Sequence, residues 1–175
     1  MTSSPQTSPT AGALTFCDYY ARLFAYDRWA NRRVLETMAS LGSRLPQRPV
    51  DRLNHLLICQ TLWIARMTGR PTPENIFPTW PLAELQKRAP GVFDSMEQFL
   101  DSLSDQDLHK PAAYTSMEGE SLQGPPADAL TQLYGHGCYH RGQIACELNP
   151  LLPKPLVTDY IYYRKAIQGD DGQLV

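Results

Sequence analysis

The stretch from Leu14 to Ser40 contains neither Gly nor Pro, and it is the feature that most restricts the fold. Its apolar residues recur every three to four positions, which places them on one face of an α-helix. These residues are Leu23, Tyr26, Ala30, Val34 and Met38. Gly42 follows, and Gly is typical of the position just beyond a helix. The sequence therefore predicts one long helix over residues 14–40, which must bury its apolar face against other elements.

Two further long helices are predicted from the positions of Gly and Pro. Residues 43–50 contain two prolines and are predicted as a connection. The second helix is expected over residues 51–67, with Asp51 as its N-terminal cap. The third is expected over residues 82–103, interrupted at Pro90-Gly91, because Pro removes a helical hydrogen bond and clashes with the preceding turn.

The C-terminal part of the chain predicts a small irregular hairpin and then a fourth long helix. The hairpin covers residues 114–123, and the helix runs from Pro126, which suits a first turn, to about Leu148. A short helix follows over residues 159–166, with Thr158 as its cap. Four long helices joined by short connections predict an all-α fold, a four-helix bundle with the hairpin before its last long helix.

The ends of the chain differ in composition from the rest. Residues 1–12 are rich in Ser, Thr and Pro and are predicted to be a disordered tail. Residues 13–167 are predicted to form a single helical domain, and residues 168–175 a flexible tail.

Charge and hydropathy exclude several classes of protein. The net charge of -2 argues against a nucleic-acid-binding domain and against a polybasic membrane anchor. No apolar stretch approaches the roughly 20 residues of a membrane span, and the N-terminus lacks the pattern of a signal peptide. The four cysteines form no CxxC pair and are too sparse for a disulfide framework. A cytoplasmic protein with no nucleic-acid or membrane partner is expected.

Three histidines form the candidate metal site. His136 and His140 are four residues apart, so both lie on one face of the fourth helix. His55 lies in the second helix on a stripe of apolar residues that faces inward. Three imidazoles with no fourth ligand at an obvious spacing are typical of an open, reactive metal site, and imidazole suits Zn, Ni, Cu or Fe. The competing interpretation is that the histidines are ordinary core residues.

Gly135 and Gly137 flank His136, and each Gly in a helix interior costs about 1 kcal/mol relative to Ala. Two interpretations stay open: room for a neighbouring helix or for the space above a metal, and simple packing against a bulky tryptophan.

Three segments of the sequence, at residues 26–35, 54–57 and 136–144, resemble the DinB/YfiT-like family. Residues 26–35, YDRWANRRVL, are similar to its first-helix signature, and residues 54–57, NHLL, to its second-helix histidine motif. Residues 136–144, HGCYHRGQI, are similar to its last-helix motif, in which two His precede Arg-Gly-Gln. The resemblance spans roughly residues 14–163.

This resemblance implies an up-down-down-up four-helix bundle, often a homodimer. It also implies a divalent metal, usually Zn or Ni, held by His55, His136 and His140. The family includes S-transferases that use low-molecular-weight thiols against small electrophiles. The chain is therefore expected to be a metal-dependent thiol S-transferase or hydrolase acting on a small-molecule substrate. Two alternatives remain: a non-catalytic, damage-inducible metal-binding protein, and a helical dimerisation module whose histidines are core residues.

Catalytic residues and residues that bind the thiol are not predicted, but several neighbours of the histidines invite a hypothesis. Cys59 lies one turn after His55 and is either a fourth ligand, a redox switch or, more simply, a small buried residue. Tyr139, Arg141 and Gln143 could line the site and hold an anionic substrate, or could be ordinary core and surface residues. His109 lies in a loop region and is expected to be exposed.

Overall fold

The fold is described by a computed structural model covering residues 14–168, and it is mostly helical. The predicted N-terminal tail and all but the first residue of the predicted C-terminal tail lie outside these residues. The elements, in chain order, are α1 Phe16–Leu41, α2 Gln47–Thr68, α3 Leu82–Asp101, β1 Ala112–Thr115, β2 Ser121–Gly124, α4 Pro126–Leu148 and α5 Tyr160–Ala166.

Most helix boundaries agree with the sequence. Helix α4 has the predicted bounds, and α1 ends at Gly42, which adopts a positive φ of 53°. Helix α1 begins with a capping box: the Thr15 hydroxyl accepts the Asp18 N–H, and the Asp18 carboxylate accepts the Thr15 N–H, each at 3.0 Å. Strands β1 and β2 pair antiparallel, which confirms the hairpin, and Gly119 makes its turn with a φ of 86°.

The predicted start of α2 is wrong. The helix begins at Gln47, so Asp51 lies inside its first turns instead of capping it, and Pro49 is the third helical residue. The first turn tolerates Pro because the N–H groups there have no partner within the helix. Asp51 accepts a hydrogen bond of 2.8 Å from the Gln47 amide.

The predicted break in α3 is also wrong, because one continuous helix contains Pro90. Pro90 and Gln86, whose carbonyl loses its helical partner, both lie on the exposed face. Water can therefore satisfy that carbonyl, while Leu85, Ala89 and Phe93 remain buried on the opposite face.

Thr158 does not cap the short helix α5. Asp159 occupies the cap position without a side-chain cap bond, and the Thr158 carbonyl instead accepts the Tyr26 hydroxyl at 2.7 Å. This bond attaches the segment before α5 to the middle of α1.

The long helices pack in pairs around two apolar clusters. Helices α1 and α2 each contact both α3 and α4. The first cluster gathers buried side chains near one end of the helices: Val34, Leu35, Met38, Leu41, Val50, Leu53, Leu56, Leu57, Leu85, Ala89, Phe93, Ile144, Leu148 and Leu156. The second gathers those toward the other end: Phe24, Cys59, Ile64, Met96, Phe99, Leu100, Leu108, Leu130 and Leu133. No helix among residues 14–168 is long and apolar enough to cross a membrane.

A buried polar layer lies between the two apolar clusters. Asp27 and Asn31 come from α1, Gln60 from α2 and Arg141 from α4, and each is at most 2% exposed. The Asp27 carboxylate pairs with the Arg141 guanidinium and accepts the Asn31 amide at 2.9 Å and the Gln60 amide at 2.6 Å. Three helices are thus joined through a single carboxylate.

Replacing Pro90 should stabilise the protein. Pro90→Ala restores the missing N–H group and removes the ring from the α3 backbone, so we expect the free energy of unfolding to rise by about 1–3 kcal/mol. Gly91→Ala is the matched control, because a Cβ at Gly91 meets no atom within 4 Å, and it should add about 0.5–1 kcal/mol. Urea denaturation measures both, and a Pro90→Ala protein less stable than wild type would contradict this account of α3.

Candidate metal centre

His55, His136 and His140 come together between α2 and α4. One ring nitrogen from each lies within 4.8 Å of the other two, and each residue is half-buried. The His136 and His140 Nε2 atoms are 3.0 Å apart. The His55 ring centroid lies 5.1 Å from that of His136 and 5.3 Å from that of His140, with the rings nearly perpendicular. The structure therefore places all three predicted residues in one cluster.

Hydrogen bonds to the protein orient two of the three rings. The Nδ1 atom of His55 lies 2.9 Å from the Ile76 carbonyl oxygen, which can only accept, so Nδ1 carries the proton. The Nδ1 atom of His140 lies 2.9 Å from the Gln143 side-chain oxygen and donates to it. In both rings Nδ1 carries the proton and Nε2 carries the lone pair, which is the arrangement that metal-binding histidines use.

A second layer of side chains holds Gln143 in place. The Arg52 guanidinium donates to the same Gln143 oxygen at 2.7 Å and to the Glu147 carboxylate at 3.0 Å. Arg52 comes from α2 and the other two from α4, so this group ties the two helices that supply the histidines. Glu147 is engaged by Arg52 and does not join the histidine cluster.

The loop between α2 and α3 covers His55. Asn54 donates to the Trp80 carbonyl at 2.9 Å, while His55 donates to the Ile76 carbonyl. Between these two anchors the Phe77 ring stacks on the His55 ring, with centroids 4.5 Å apart and planes 8° from parallel. Two adjacent residues of α2 thus hold this Pro-rich loop against the site.

The surroundings favour the neutral form of His136 and His140. Burial, together with the neighbouring His140 and His55, lowers the pKa of His136 to about 4. Burial also lowers the pKa of His140, against the opposing effect of its bond to Gln143. Neutral imidazole is the form that binds a metal.

The donor set and its spacing fit a divalent ion of the first transition series. Two nitrogen ligands at the usual Zn–N distance in a tetrahedral site lie about 3.3 Å apart. The 3.0 Å between the His136 and His140 nitrogens is close to that value. Within residues 14–168, no Cys, Asp or Glu joins the cluster as a fourth ligand. The residues present therefore fit a metal ion held by three histidines with one coordination position left open.

Comparisons with known proteins agree with this geometry. The sequence model of the DinB family matches residues 16–170. The chain is also 22% identical over 163 residues to Protein DinB of Bacillus subtilis (strain 168), covering 83% of this chain and 94% of that protein. No solved structure gives a significant match.

The chain belongs to the DinB family. The matched region contains all three histidines, both helices that supply them and the loop over His55. The resemblance of the chain to this family is therefore confirmed.

Cys59 of this DinB-family chain is a buried thiol outside the cluster. Its sulfur lies 3.7 Å from both ring nitrogens of His55. It is not close enough to His136 and His140 to belong to the same group of ligands. Burial raises the pKa of Cys59 to about 11, so the side chain stays protonated. Its other neighbours belong to the second apolar cluster. The simpler interpretation, a small buried residue, is the one that the structure favours.

The anionic-substrate hypothesis is wrong for Arg141. Arg141 is 1% exposed and pairs with Asp27 in the polar layer, away from solvent. Burial alone lowers the pKa of Arg141, but the Asp27 carboxylate raises it above its ordinary value. Gln143 is engaged by Arg52 and His140, whereas Tyr139 remains exposed. His109 is exposed and lies outside the cluster, as expected.

The two glycines around His136 differ in their surroundings. A Cβ at Gly137 would lie 2.7 Å from an Asp27 oxygen and 3.0 Å from an Arg141 nitrogen, whereas one at Gly135 meets nothing within 4 Å. Gly137 therefore makes room for the ion pair, not for a tryptophan. Gly137 was the one residue of the sequence that indicated the polar layer. A Gly inside a helix lowers its stability, so its presence there indicates a close neighbour that leaves no room for a side chain.

Substituting the two glycines should have opposite effects. Gly137→Ala forces the Asp27–Arg141 pair apart, so we expect a loss of about 1–3 kcal/mol in the free energy of unfolding. Gly135→Ala has open space and a better helix former, so we expect a gain of about 0.5–1 kcal/mol. Urea denaturation of both variants checks this, and equal effects of the two substitutions would argue against the role assigned to Gly137.

Proposed function

We propose that this protein binds one divalent ion, Zn or Ni, through His55, His136 and His140. The observation that carries the proposal is the convergence of three ring nitrogens while two of the rings donate their Nδ1–H groups to protein oxygens. Core histidines need partners only for their own polar atoms, whereas here the His136 and His140 Nε2 atoms face each other at 3.0 Å. Membership of the DinB family supports the same conclusion.

The proposed reaction is the transfer of a thiol to a small electrophile, or hydrolysis of a small molecule. A divalent ion in a three-histidine site supplies Lewis acidity, which lowers the pKa of a water or thiol at the open position. The chain's own part is to hold the rings: Ile76 fixes the His55 ring, and Arg52 fixes Gln143 and, through it, His140. These contacts set the ring orientations before any ligand arrives.

We propose that the thiol in such a reaction comes from outside the chain. Cys59 is the cysteine nearest to the cluster along α2, and its raised pKa keeps it a weak nucleophile at neutral pH. Burial in the second apolar cluster also restricts its access to a substrate. A low-molecular-weight thiol is therefore the co-substrate that we propose.

Metal analysis tests the site. Protein purified without a chelating tag and supplied with Zn or Ni should contain close to one ion per chain. His136→Ala and His140→Ala should lose it, because two ligands hold an ion weakly. Both variants should keep their helical circular dichroism, since the apolar clusters do not depend on the metal. His109→Ala is the matched control and should keep the metal, because His109 lies outside the cluster.

Turnover separates an enzyme from a metal-binding protein. The metal-loaded protein should accelerate the reaction of a small thiol with an electrophile such as monochlorobimane, and His136→Ala should not. A protein that holds one ion but gives no turnover with a panel of thiols and electrophiles would fit the non-catalytic, damage-inducible alternative. A metal content far below one per chain would overturn the proposal itself.

The family resemblance also underlies a proposal for the assembly. We propose an up-down-down-up bundle that forms a homodimer, and a cytoplasmic location stays a prediction from the sequence. Four aromatic residues lie near the start of α1, of which Phe24 is buried and Tyr20 half-buried. Phe16 and Tyr19, at 62% and 48% exposed, remain available for a partner.

Light scattering tests the homodimer. At micromolar concentration the mass should be near twice the 19.7 kDa of one chain. Replacing both Phe16 and Tyr19 by Ser should lower it toward the monomer value, because the substitution removes the exposed apolar area that a partner would cover. A wild-type mass near that of one chain would contradict the dimer.

A further inference from the structure

The surroundings of the histidine cluster provide no free positive charge at the positions suggested by the sequence. Arg141 follows His140 directly, but its guanidinium is buried against Asp27. Arg52 reaches the cluster through Gln143 and pairs with Glu147 at 3.0 Å, a carboxylate that Arg48 also contacts at 3.4 Å. Both Arg141 and Arg52 are thus paired with carboxylates of the protein. An anionic group on the substrate would have to compete with these carboxylates for either of them.

Two exposed aromatic rings contact the histidines instead. The Phe77 ring stacks on His55, and its residue is 65% exposed. The Tyr139 ring packs edge-on against His140, with centroids 5.2 Å apart, and its residue is 63% exposed. The two rings come from different parts of the fold, one from the loop before α3 and the other from α4. Each touches a different member of the cluster.

These rings combine high exposure with direct contact with the histidines. Aromatic side chains that stabilise a fold bury most of their area, as Phe24 and Phe93 do at 4% exposed. Phe77 and Tyr139 each keep nearly two thirds of their area in water while resting on a histidine. Apolar area left open beside a site of this kind is the part that a ligand covers.

We propose that Phe77 and Tyr139 recognise a flat apolar group, an aryl or benzyl substituent, on the small molecule that binds at the histidine cluster. This inference rests on the proposed metal site and adds the class of its substrate. Aromatic faces and edges attract a planar ring by stacking and by removing apolar area from water. An uncharged aromatic thiol or electrophile therefore suits these surroundings better than an anionic one.

Cobalt-substituted protein provides the test, because thiol binding to cobalt changes the visible spectrum. The probes are phenylmethanethiol, which carries a benzyl group, and 2-mercaptoethanol, which carries none. We expect Phe77→Ala and Tyr139→Ala each to weaken phenylmethanethiol binding by roughly threefold to tenfold. Binding of 2-mercaptoethanol should stay within about twofold of wild type, because it does not reach the rings. Phe77→Leu should fall between wild type and Phe77→Ala for the aromatic probe.

A matched control removes an equally exposed apolar side chain elsewhere. Ile161 on α5 is 59% exposed, and Ile161→Ala should leave the binding of both thiols unchanged. Cobalt is titrated into each variant first, so that all spectra are recorded at saturation with the metal. Light scattering on the same samples shows whether either aromatic substitution changes the assembly.

The outcomes distinguish this inference from the proposed function. A wild-type protein that takes up no cobalt overturns the metal site and the inference together. Normal cobalt uptake with equally weakened binding of both thiols would assign Phe77 and Tyr139 a role in holding the site. It would overturn the inference but leave the proposed metal site standing. Unchanged binding of phenylmethanethiol also overturns it. A change from dimer to monomer in either variant would show that the substituted ring lies in the dimer interface. That outcome would also overturn the inference.

Discussion

The buried pair between Asp27 and Arg141 is the interaction on which the rest of the structure depends. Burying two charges costs several kcal/mol unless each meets its partner and its hydrogen bonds, so the pair tolerates only one relative position of α1 and α4. Gln60 extends the same requirement to α2. Sliding any of these helices by one turn would leave a charge buried without a partner. Since His140 precedes Arg141 directly, the register that satisfies the ion pair also places the histidines.

The extent of the helices could be predicted because helical periodicity is a local property. Helix α4 was predicted with its observed bounds, and the hairpin and the end of α1 at Gly42 were predicted almost as well. The errors occur where a local rule depends on solvent. Pro90 is tolerated because its side of α3 faces water, and Pro49 because it lies in a first turn. Which face of a helix is exposed to water follows from how the helices pack, and a single sequence does not specify that packing.

The histidine cluster could be anticipated in part, whereas its surroundings could not. Spacing places His136 and His140 on one face of α4, but His55 joins them only through the packing of α2 against α4. The Ile76 carbonyl and the Phe77 ring carry no signal in the sequence, because their role depends on how a loop folds back onto α2. Arg141 was expected either to line the site or to lie at the surface, because its partner, Asp27, is 114 residues away in the chain. Pairings over such distances in the chain are not readable from one sequence.

Gly137 has a consequence for how this sequence can change. A side chain at that position would occupy the space of the Asp27 carboxylate and the Arg141 guanidinium, so the residues at 27, 137 and 141 form one unit. Removing either charge alone leaves the other buried without a partner. Replacing Gly137 alone by a larger residue displaces both charged side chains. Replacing the pair by smaller apolar residues would open a void that a larger residue at 137 could then fill. Variation at these three positions is therefore epistatic: a route from one stable combination to another passes through destabilised intermediates unless the changes occur together.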